Sequence, residues 1–293
     1  MIITFGSINV DLVFSMSEIP QAGQTLLAKD FRTEAGGKGA NQAVAAARDG
    51  ATVVMVGAVG DDAMAAIALR NLQDTADVTR VQRVREPTGC ASILIDAGGR
   101  NMIAVAASAN LIASSDVIDE SLLQQASIVL MQMENDVSQI AKLVRRAKET
   151  SAQSILNLAP AFPLDPQILS LCDLIVVNED EAETLAVWLG CEPSARSLSK
   201  RLNTGVLRTL GGEGAEAVTN GKEIRVSAMA VDVKDTTAAG DCFVGVLAAA
   251  LDRGFSLEDA MRRASKAAAI ACSRPGSQSS IPFASETDNW RTL

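Results

Sequence analysis

The stretch Asp235-Thr-Thr-Ala-Ala-Gly-Asp241, continued by Cys242-Phe-Val-Gly-Val-Leu-Ala-Ala-Ala-Leu251, gives the clearest indication of architecture in this chain. Its second part is apolar on almost every side, which predicts a buried helix. Ala-Ala-Gly-Asp then falls at the helix N-terminus, where unpaired N–H groups and the positive end of the helix dipole attract an anion. Asp241, in the first turn, is placed to orient and deprotonate a hydroxyl group. Taken alone, the segment fits equally well an ordinary first-turn acid preceded by a packing glycine.

Two further polar segments precede predicted elements near the N-terminus. Glu34-Ala-Gly-Gly-Lys-Gly-Ala-Asn-Gln-Ala43 leads into a helix, and its glycines allow close backbone approach while Lys38 and Asn41 supply donors. It is neither a Walker A loop nor Gly-x-Gly-x-x-Gly. In Gly6-Ser-Ile-Asn9-Val-Asp11, Asn9 and Asp11 lie two apart on an extended chain and project to one side, where they could hold adjacent hydroxyl groups. Each segment read singly is also consistent with turn chemistry.

Short β-prone runs alternate with longer helical patterns along the chain. A typical helical pattern has apolar residues at 140, 143, 144 and 147. This alternation predicts a mainly parallel sheet with helices on both faces and ligands at the carboxyl ends of the strands. The predicted buried strands are Ile2–Phe5, Val53–Gly57, Ile128–Met133, Ser154–Leu158, Leu174–Val177 and Val206–Leu210.

Two regions break the alternation and predict a second, smaller sheet. Residues 9–34 show no helical period, and Cys90–Ile95 and Asn101–Ala106 form a hairpin pattern around Gly98-Gly99. A lid over a ligand, a dimer surface and ordinary edge strands all fit this pattern. Near the C-terminus, Asn220-Gly221 predicts a hairpin turn, and Ser256-Leu-Glu-Asp259 predicts a capped helix that continues to about Cys272.

Composition excludes several function classes. The 293 residues carry 26 basic and 35 acidic side chains, a net charge of −9, which argues against nucleic-acid or anionic-membrane binding. Histidine is absent, so Ser-His-Asp catalysis and His-ligated zinc are excluded. Five scattered cysteines without a C-x-x-C pair, no signal-peptide pattern and no 18-residue apolar run predict a cytoplasmic protein with reduced thiols.

The segments at residues 6–11, 34–43 and 235–241, in this order and at these distances along the chain, resemble the ribokinase-like (phosphofructokinase-B) family of carbohydrate kinases. The resemblance covers nearly the whole chain and includes Met131-Gln-Met-Glu134, Asn178-Glu-Asp-Glu181, Thr209-Leu-Gly-Gly-Glu-Gly214 and Ala271-Cys-Ser-Arg-Pro-Gly-Ser-Gln-Ser-Ser-Ile-Pro282. It implies one domain over residues 1–293: a three-layer α/β/α sandwich with a central, mainly parallel sheet and a small β-sheet lid built from about 9–34 and 88–108.

The same resemblance implies roles for individual residues. Residues matching sugar-hydroxyl contacts are Asn9, Asp11, Gly37, Lys38, Asn41 and Glu134. Asp241 matches the catalytic base, and Ala238, Ala239 and Gly240 match the anion hole below the γ-phosphate. Residues matching nucleotide contacts are Asn178, Thr209, Gly211, Gly212, Gly214 and Gly240. Glu181 matches a residue of the Mg²⁺ water network. Residues matching a monovalent-cation loop that holds K⁺ are Asp235, Thr237, Ala271, Arg274, Gly276 and Ser280.

The implied function is ATP-dependent phosphorylation of a pentose, D-ribose to D-ribose 5-phosphate, with Mg²⁺ and K⁺ as cofactors and a homodimer formed through the lid. Two alternatives stay open. One is a related kinase acting on deoxyribose, a nucleoside or a ketohexose, against which the polar amide of Asn9 favours a sugar that carries the 2-hydroxyl. The other is a non-catalytic sugar-binding homologue. Ser265 departs from the family pattern, in which a larger side chain often flanks adenine.

Overall fold

Thirteen strands form two separate sheets in the computed structural model, which describes residues 1–290. The strands are β1 (Ile2–Phe5), β2 (Asn9–Ser15), β3 (Asp30–Gly36), β4 (Val53–Gly60), β5 (Asp77–Val84), β6 (Gly89–Ile95), β7 (Asn101–Ala106), β8 (Ile128–Met131), β9 (Gln153–Asn157), β10 (Leu174–Val177), β11 (Gly205–Thr209), β12 (Ala215–Thr219) and β13 (Lys222–Val226). The large sheet has the order β13-β12-β11-β10-β9-β8-β1-β4-β5, parallel from β5 to β11 and antiparallel at the β12–β13 hairpin. In that hairpin Asn220 and Gly221 both have positive φ, as the predicted turn requires.

Helices cover both faces of the large sheet. They are α1 (Lys38–Arg48), α2 (Ala63–Thr75), α3 (Glu120–Gln125), α4 (Val137–Lys148), α5 (Pro166–Leu169), α6 (Glu179–Leu189), α7 (Ala195–Leu202), α8 (Ala239–Asp252), α9 (Leu257–Cys272) and α10 (Ala284–Asn289). One core cluster joins the sheet to α1, α2, α8 and α9, and a second joins its other face to α3–α7. The predicted three-layer fold class is confirmed, and Ser256 caps α9 as expected.

The small sheet has the order β3-β2-β6-β7. Strand β2 pairs with β3 antiparallel and with β6 parallel, and β6 turns into β7 at Gly99, whose φ is 79°. Its strands span residues 9–36 and 89–106, close to the predicted segments. Several of its large apolar side chains are about half exposed, namely Phe31, Met102, Ile103 and Val105.

Of the six predicted buried strands, β1 and β10 have the expected bounds, the other four differ by one to three residues at their ends, and β5 is an additional strand. Strand β8 ends at Met131 rather than Met133, because Met133 N–H bonds the carbonyl of Ala159 (3.1 Å) and Gln132 turns its side chain into the interior. Strand β5 was not predicted, since only Ala76 separates it from α2 and no glycine or proline marks the change. No helix within residues 1–290 is long and apolar enough to cross a bilayer.

Candidate active site

The first turns of α1 and α8 meet because a glycine allows the two helices to touch. A Cβ on Gly245 of α8 would lie 2.3 Å from the backbone oxygen of Gln42 in α1, so only glycine fits without displacing a helix. Helix α1 itself begins after Gly37, whose φ of 90° favours glycine and whose Cβ would lie 2.8 Å from Asn9 N. The N-terminal ends of both helices therefore converge beside the end of β1.

Asp241 lies at this junction, in the first turn of α8, and is 8% exposed. Its Oδ2 accepts a 2.9 Å hydrogen bond from Asn41 Nδ2, and its Oδ1 accepts one of equal length from Gln42 Nε2. Ala238, the N-cap of α8 three residues before Asp241, has φ 57°, a left-handed conformation that costs an alanine about 1 kcal/mol or more. Such backbone strain at a helix start is typical of functional turns.

Gln42 is a site residue that the sequence analysis missed. Besides Asp241, its Nε2 donates to Asn157 Oδ1 (2.9 Å), and its Oε1 accepts from Gln132 Nε2 (2.7 Å). Because Gln132 donates to the oxygen, the nitrogen of Gln42 must face the two acceptors. Only the Gly-Gly-Lys-Gly-Ala-Asn-Gln segment itself signalled Gln42 in the sequence, and it did not show which neighbour the amide would meet.

The residues predicted to hold sugar hydroxyls surround Lys38. Glu134 Oε2 accepts from Ser7 Oγ (2.5 Å) and from Lys38 N (3.3 Å), which ties the β8 edge to the start of α1. Asn9 is 2% exposed, and its Oδ1 accepts from Asn110 Nδ2 (2.7 Å). Within residues 1–290 the Nδ2 of Asn9 donates to no group, since its bond with Asn110 uses Oδ1.

Asp11 follows Asn9 on β2 and packs directly on Gly36, where a Cβ would lie 2.3 Å from either carboxylate oxygen. The structure therefore brings all six predicted sugar-binding positions to one end of the sheets.

Negative charge dominates this part of the site. Burial and, after it, the carboxylates of Glu34, Glu134 and Asp241 together raise the pKa of Asp11 to about 7, against the opposing charge of Lys38. For Lys38, burial works to lower the pKa, but the surrounding carboxylates, Asp241 foremost, hold it above its ordinary value. Lys38 is therefore a permanent cation and Asp11 titrates near neutral pH.

A cavity of about 220 Å³ opens beside Asp241. Lys38, Glu181, Thr209 and Gly240 line it together with Asp241. A Cβ on Gly240 would meet nothing within 4 Å, so this glycine faces open space rather than packing. A half-buried lysine, a helix N-terminus and an open glycine are features that accommodate a phosphoryl group.

A larger, mostly apolar slot of about 490 Å³ adjoins the first cavity, because Thr209, Thr236 and Gly240 line both. Its walls are Gly211, Gly212, Gly214, Ala228, Met229, Ala230, Val231, Val233, Ala239, Phe243, Ser265, Ala268, Ala269 and Cys272. The predicted nucleotide residues therefore divide between the cavities, with Asn178 in the smaller one and the three glycines of the 211–214 loop in the larger.

Glu181, predicted to belong to the water network of a Mg²⁺ ion, lines the smaller cavity. It closes a capping box with Asn178, whose N–H donates to Glu181 Oε2 (2.8 Å). Burial raises its pKa above the ordinary value, although Asn178 and Lys38 act in the opposite direction. Within residues 1–290 no group of three or more His, Cys, Asp and Glu side chains could hold a metal. One carboxylate fits Mg²⁺, which usually keeps several waters and binds substrate phosphates.

Three of the residues predicted around a monovalent cation are in contact. Asp235 accepts from the backbone N–H groups of Thr237 (2.8 Å) and Gly276 (2.9 Å). Burial would raise the pKa of Asp235, but these hydrogen bonds outweigh it and hold the pKa below its ordinary value. An ionised carboxylate supplies an oxygen ligand of the kind that hard cations take.

The other three predicted cation residues have partners of their own. Arg274 Nη2 donates to Glu286 (2.6 Å), Ser280 Oγ donates to the carbonyl of Ser277 (2.7 Å), and the Ala271 carbonyl accepts from Arg274 N (3.1 Å). Arg274 could contact a cation only through its backbone oxygen, because its guanidinium group is a hydrogen-bond donor.

Glu34, which the sequence analysis did not assign, links the small sheet to this loop. Its Oε2 accepts from Ser277 N (2.9 Å), and its Oε1 accepts from Arg32 Nε (2.5 Å). Ser277 Oγ in turn donates to Asn41 Oδ1 (3.4 Å), the amide that holds Asp241. A path of polar contacts therefore runs from β3 to the carboxylate of Asp241.

Comparison with known proteins agrees with this arrangement. A family model described as "pfkB family carbohydrate kinase" matches residues 1–284. A ribokinase of Haemophilus influenzae is 38% identical over 293 residues, covering 96% of this chain and 95% of that protein. A deoxyribokinase of Salmonella typhi is 33% identical over 302 residues, covering 100% and 99%. The structure of Arabidopsis thaliana ribokinase complexed with ribose and ATP has a TM-score of 0.87 and 30% identity, covering 98% and 96%.

Proposed function

This chain belongs to the pfkB family of carbohydrate kinases and is an ATP-dependent sugar kinase, and on that premise we propose that its substrate is D-ribose and its product D-ribose 5-phosphate. The single observation that supports the site assignment is the position of Asp241. Its carboxylate lines the small cavity, is fixed by two amides, and lies close enough to Asp11 to raise the pKa of that residue.

In the proposed mechanism Asp241 orients the 5-hydroxyl of the sugar and accepts its proton as the oxygen attacks the γ-phosphate. The backbone N–H groups at Ala238 and Gly240 stabilise the charge that develops on the transferred group. The N–H of Ala239 donates to the Thr236 carbonyl (3.2 Å) and would have to exchange that partner for the phosphate to join them. Lys38 adds a fixed positive charge beside it. Because phosphoryl transfer has a loose transition state, alignment and charge stabilisation supply most of the rate enhancement.

The sugar is proposed to lie between the two sheets, held by Asn9, Asp11, Gly37, Lys38, Asn41 and Glu134. In this proposal Asn9 determines whether the site prefers ribose or 2-deoxyribose. Since Asn110 fixes its oxygen, its Nδ2 remains available to a 2-hydroxyl group. A buried donor left unpaired by 2-deoxyribose would cost about 1–3 kcal/mol. The similarity to a deoxyribokinase makes this sugar the first competitor to test.

Two ions complete the proposal. Mg²⁺ supplies charge neutralisation on the nucleotide phosphates when bound, and Glu181 would hold a water of its shell. K⁺ would bind at the loop formed by Asp235, Thr237, Ala271, Arg274, Gly276 and Ser280. There it would order the segment whose Ser277 contacts Asn41.

The small sheet is proposed to act as a lid and as a dimer surface in a single-domain, cytoplasmic enzyme. Phe31 and Ile103 are half exposed on it, although large apolar side chains are usually buried. Glu34 connects this sheet to the loop at residue 277. Closure of the sheet over the sugar would therefore affect the position of Asn41, which Ser277 contacts.

ADP release measured across ribose, 2-deoxyribose, fructose and a nucleoside, each with and without K⁺, tests the proposal. We expect ribose to have the highest kcat/KM, about 10-fold or more above 2-deoxyribose, the effect of one unpaired buried donor. Asn9→Ala should remove this preference. A higher kcat/KM for another acceptor would contradict the ribose assignment, and ribose binding without turnover of any sugar would favour a non-catalytic homologue.

A further inference from the structure

The apolar slot next to the phosphate cavity contains no charged side chain among its described lining residues. Only three hydroxyl side chains line it: Thr209, Thr236 and Ser265. Two of them lie at the junction with the smaller cavity, and Thr209 Oγ1 already donates to the carbonyl of Val177 (3.5 Å). Ser265 is therefore the hydroxyl that faces the part of the slot away from the phosphates.

Ser265 lies on α9 and is 8% exposed. No side-chain hydrogen bond found within residues 1–290 involves its hydroxyl, and the neighbouring lining positions on α9 are Ala268 and Ala269. A serine hydroxyl both donates and accepts, and its hydrogen rotates to suit the partner. It can thus pair equally with an amino group, which donates, and with a carbonyl oxygen, which accepts.

A second part of the wall can likewise both donate and accept hydrogen bonds. It is an irregular segment, 228–233, whose backbone forms no hydrogen bond to the rest of residues 1–290. Its N–H and carbonyl groups are therefore both available to the edge of a base. The slot is also open at Gly211 and Gly212, because a Cβ on either residue would meet nothing within 4 Å.

We propose that this slot distinguishes 6-aminopurines from 6-oxopurines only weakly, so that the enzyme also takes the γ-phosphate of inosine and guanosine triphosphates. The proposal rests on the proposed kinase function of the adjoining cavity. A site that prefers one base over another by about 10⁴–10⁵-fold in kcat/KM requires fixed polar groups that the wrong base leaves unpaired. An apolar slot with an adaptable hydroxyl discriminates only by about 10–200-fold.

The test measures kcat/KM for ATP, ITP and GTP at saturating ribose, on the wild type, on Ser265→Ala and on the exposed-site control Ser285→Ala. We expect ITP and GTP to fall within about 200-fold of ATP. Ser265→Ala should lower kcat/KM for ATP and ITP by the same factor, about 2- to 10-fold, the loss of one neutral hydrogen bond. The control should match the wild type.

A preference for ATP above that range, or a Ser265→Ala effect confined to one nucleotide, would overturn the proposal. Dissociation constants of ADP, IDP and GDP, measured by calorimetry without sugar, separate its failure from that of the proposed function. If no sugar is phosphorylated with any donor, the kinase assignment fails, and the ratio of the ADP and IDP dissociation constants still tests the slot. A ratio within the same range supports it, and a larger one contradicts it.

Discussion

The side-chain amide of Gln42 donates a 2.9 Å hydrogen bond to Asp241 Oδ1, across a sequence separation of 199 residues. The contact exists because Gly245 lets α1 lie against α8. Gln132 fixes the orientation of that amide from its other side. Asp241 therefore presents its carboxylate at an angle set by the packing of two helices rather than by its own rotamer.

Gln42→Leu should lower kcat for sugar phosphorylation by about 100-fold, since a misplacement of about 1 Å in a catalytic group has effects of that size. The fold should persist, as judged by circular dichroism, and Gln125→Leu on an exposed turn of α3 serves as the control. Gln42→Glu, which places a second carboxyl group against Asp241, should lower kcat as well. Wild-type turnover in a folded Gln42→Leu enzyme would show that this amide does not position the base.

Sugar binding should depend on pH through Asp11, whose pKa lies at about 7. A carboxylate accepts hydrogen bonds from two sugar hydroxyls, and a protonated carboxyl accepts fewer. We expect kcat/KM for the sugar to fall about 10-fold per pH unit below pH 7, one proton per site. In Asp11→Asn this limb should be absent; if it survives there, another group is responsible.

The same residue affects stability with a definite sign. Between its unfolded value of 3.8 and about 7, the folded chain holds a proton on Asp11 that the unfolded chain has released. The contribution of Asp11 to the free energy of unfolding therefore decreases as the pH rises through this window. Urea denaturation at pH 5 and pH 7.5, compared between wild type and Asp11→Asn, measures it.

Two glycines of α8 should respond in opposite ways to the same substitution. Gly245→Ala places a methyl group 2.3 Å from the Gln42 backbone oxygen and should lower the free energy of unfolding by about 1–3 kcal/mol. Gly240→Ala meets no neighbour within 4 Å, so its melting temperature should not fall. It should instead lower kcat, because the added methyl group projects toward the phosphate cavity. Equal melting temperatures for both variants would contradict the packing described for α1 and α8.

Asp49 should be a major contributor to stability although it lies outside the site. It is 1% exposed and pairs with Arg263 (2.6 Å) and Arg253 (2.5 Å), which join α1 to α8 and α9. Asp49→Ala removes the buried carboxylate that the two guanidinium groups share, leaving Arg263 only its ion pair with the exposed Asp288, and should cost about 3–5 kcal/mol in urea denaturation. The exposed pair Arg262–Glu258 provides the control, where Arg262→Ala should cost less than about 1 kcal/mol. Similar losses of unfolding free energy in both variants would show that the buried ion pairs of Asp49 contribute no more to stability than an exposed pair.

Elements whose signals are local could be predicted from the sequence. Helix α8, the Asn220-Gly221 turn and the cap at Ser256 depend on residues adjacent in the chain, and all three have the expected form. Contacts between distant segments were not available to it. Gln42 and Glu34 occur within a quoted motif, yet their partners depend on helix packing and on the pairing of Glu34 with Asp11 across β3 and β2.

Replacement of Asp241 by asparagine tests the central claim most directly, because it retains the size of the side chain and removes the base. Turnover of ribose by ATP and the dissociation constants of both substrates are measured on the wild type and on Asp241→Asn. We predict that kcat falls by about 10²–10⁴-fold, the range of general-base contributions, while both substrates still bind. A variant that binds both substrates and phosphorylates ribose at the wild-type rate would contradict the assignment of Asp241 as the base.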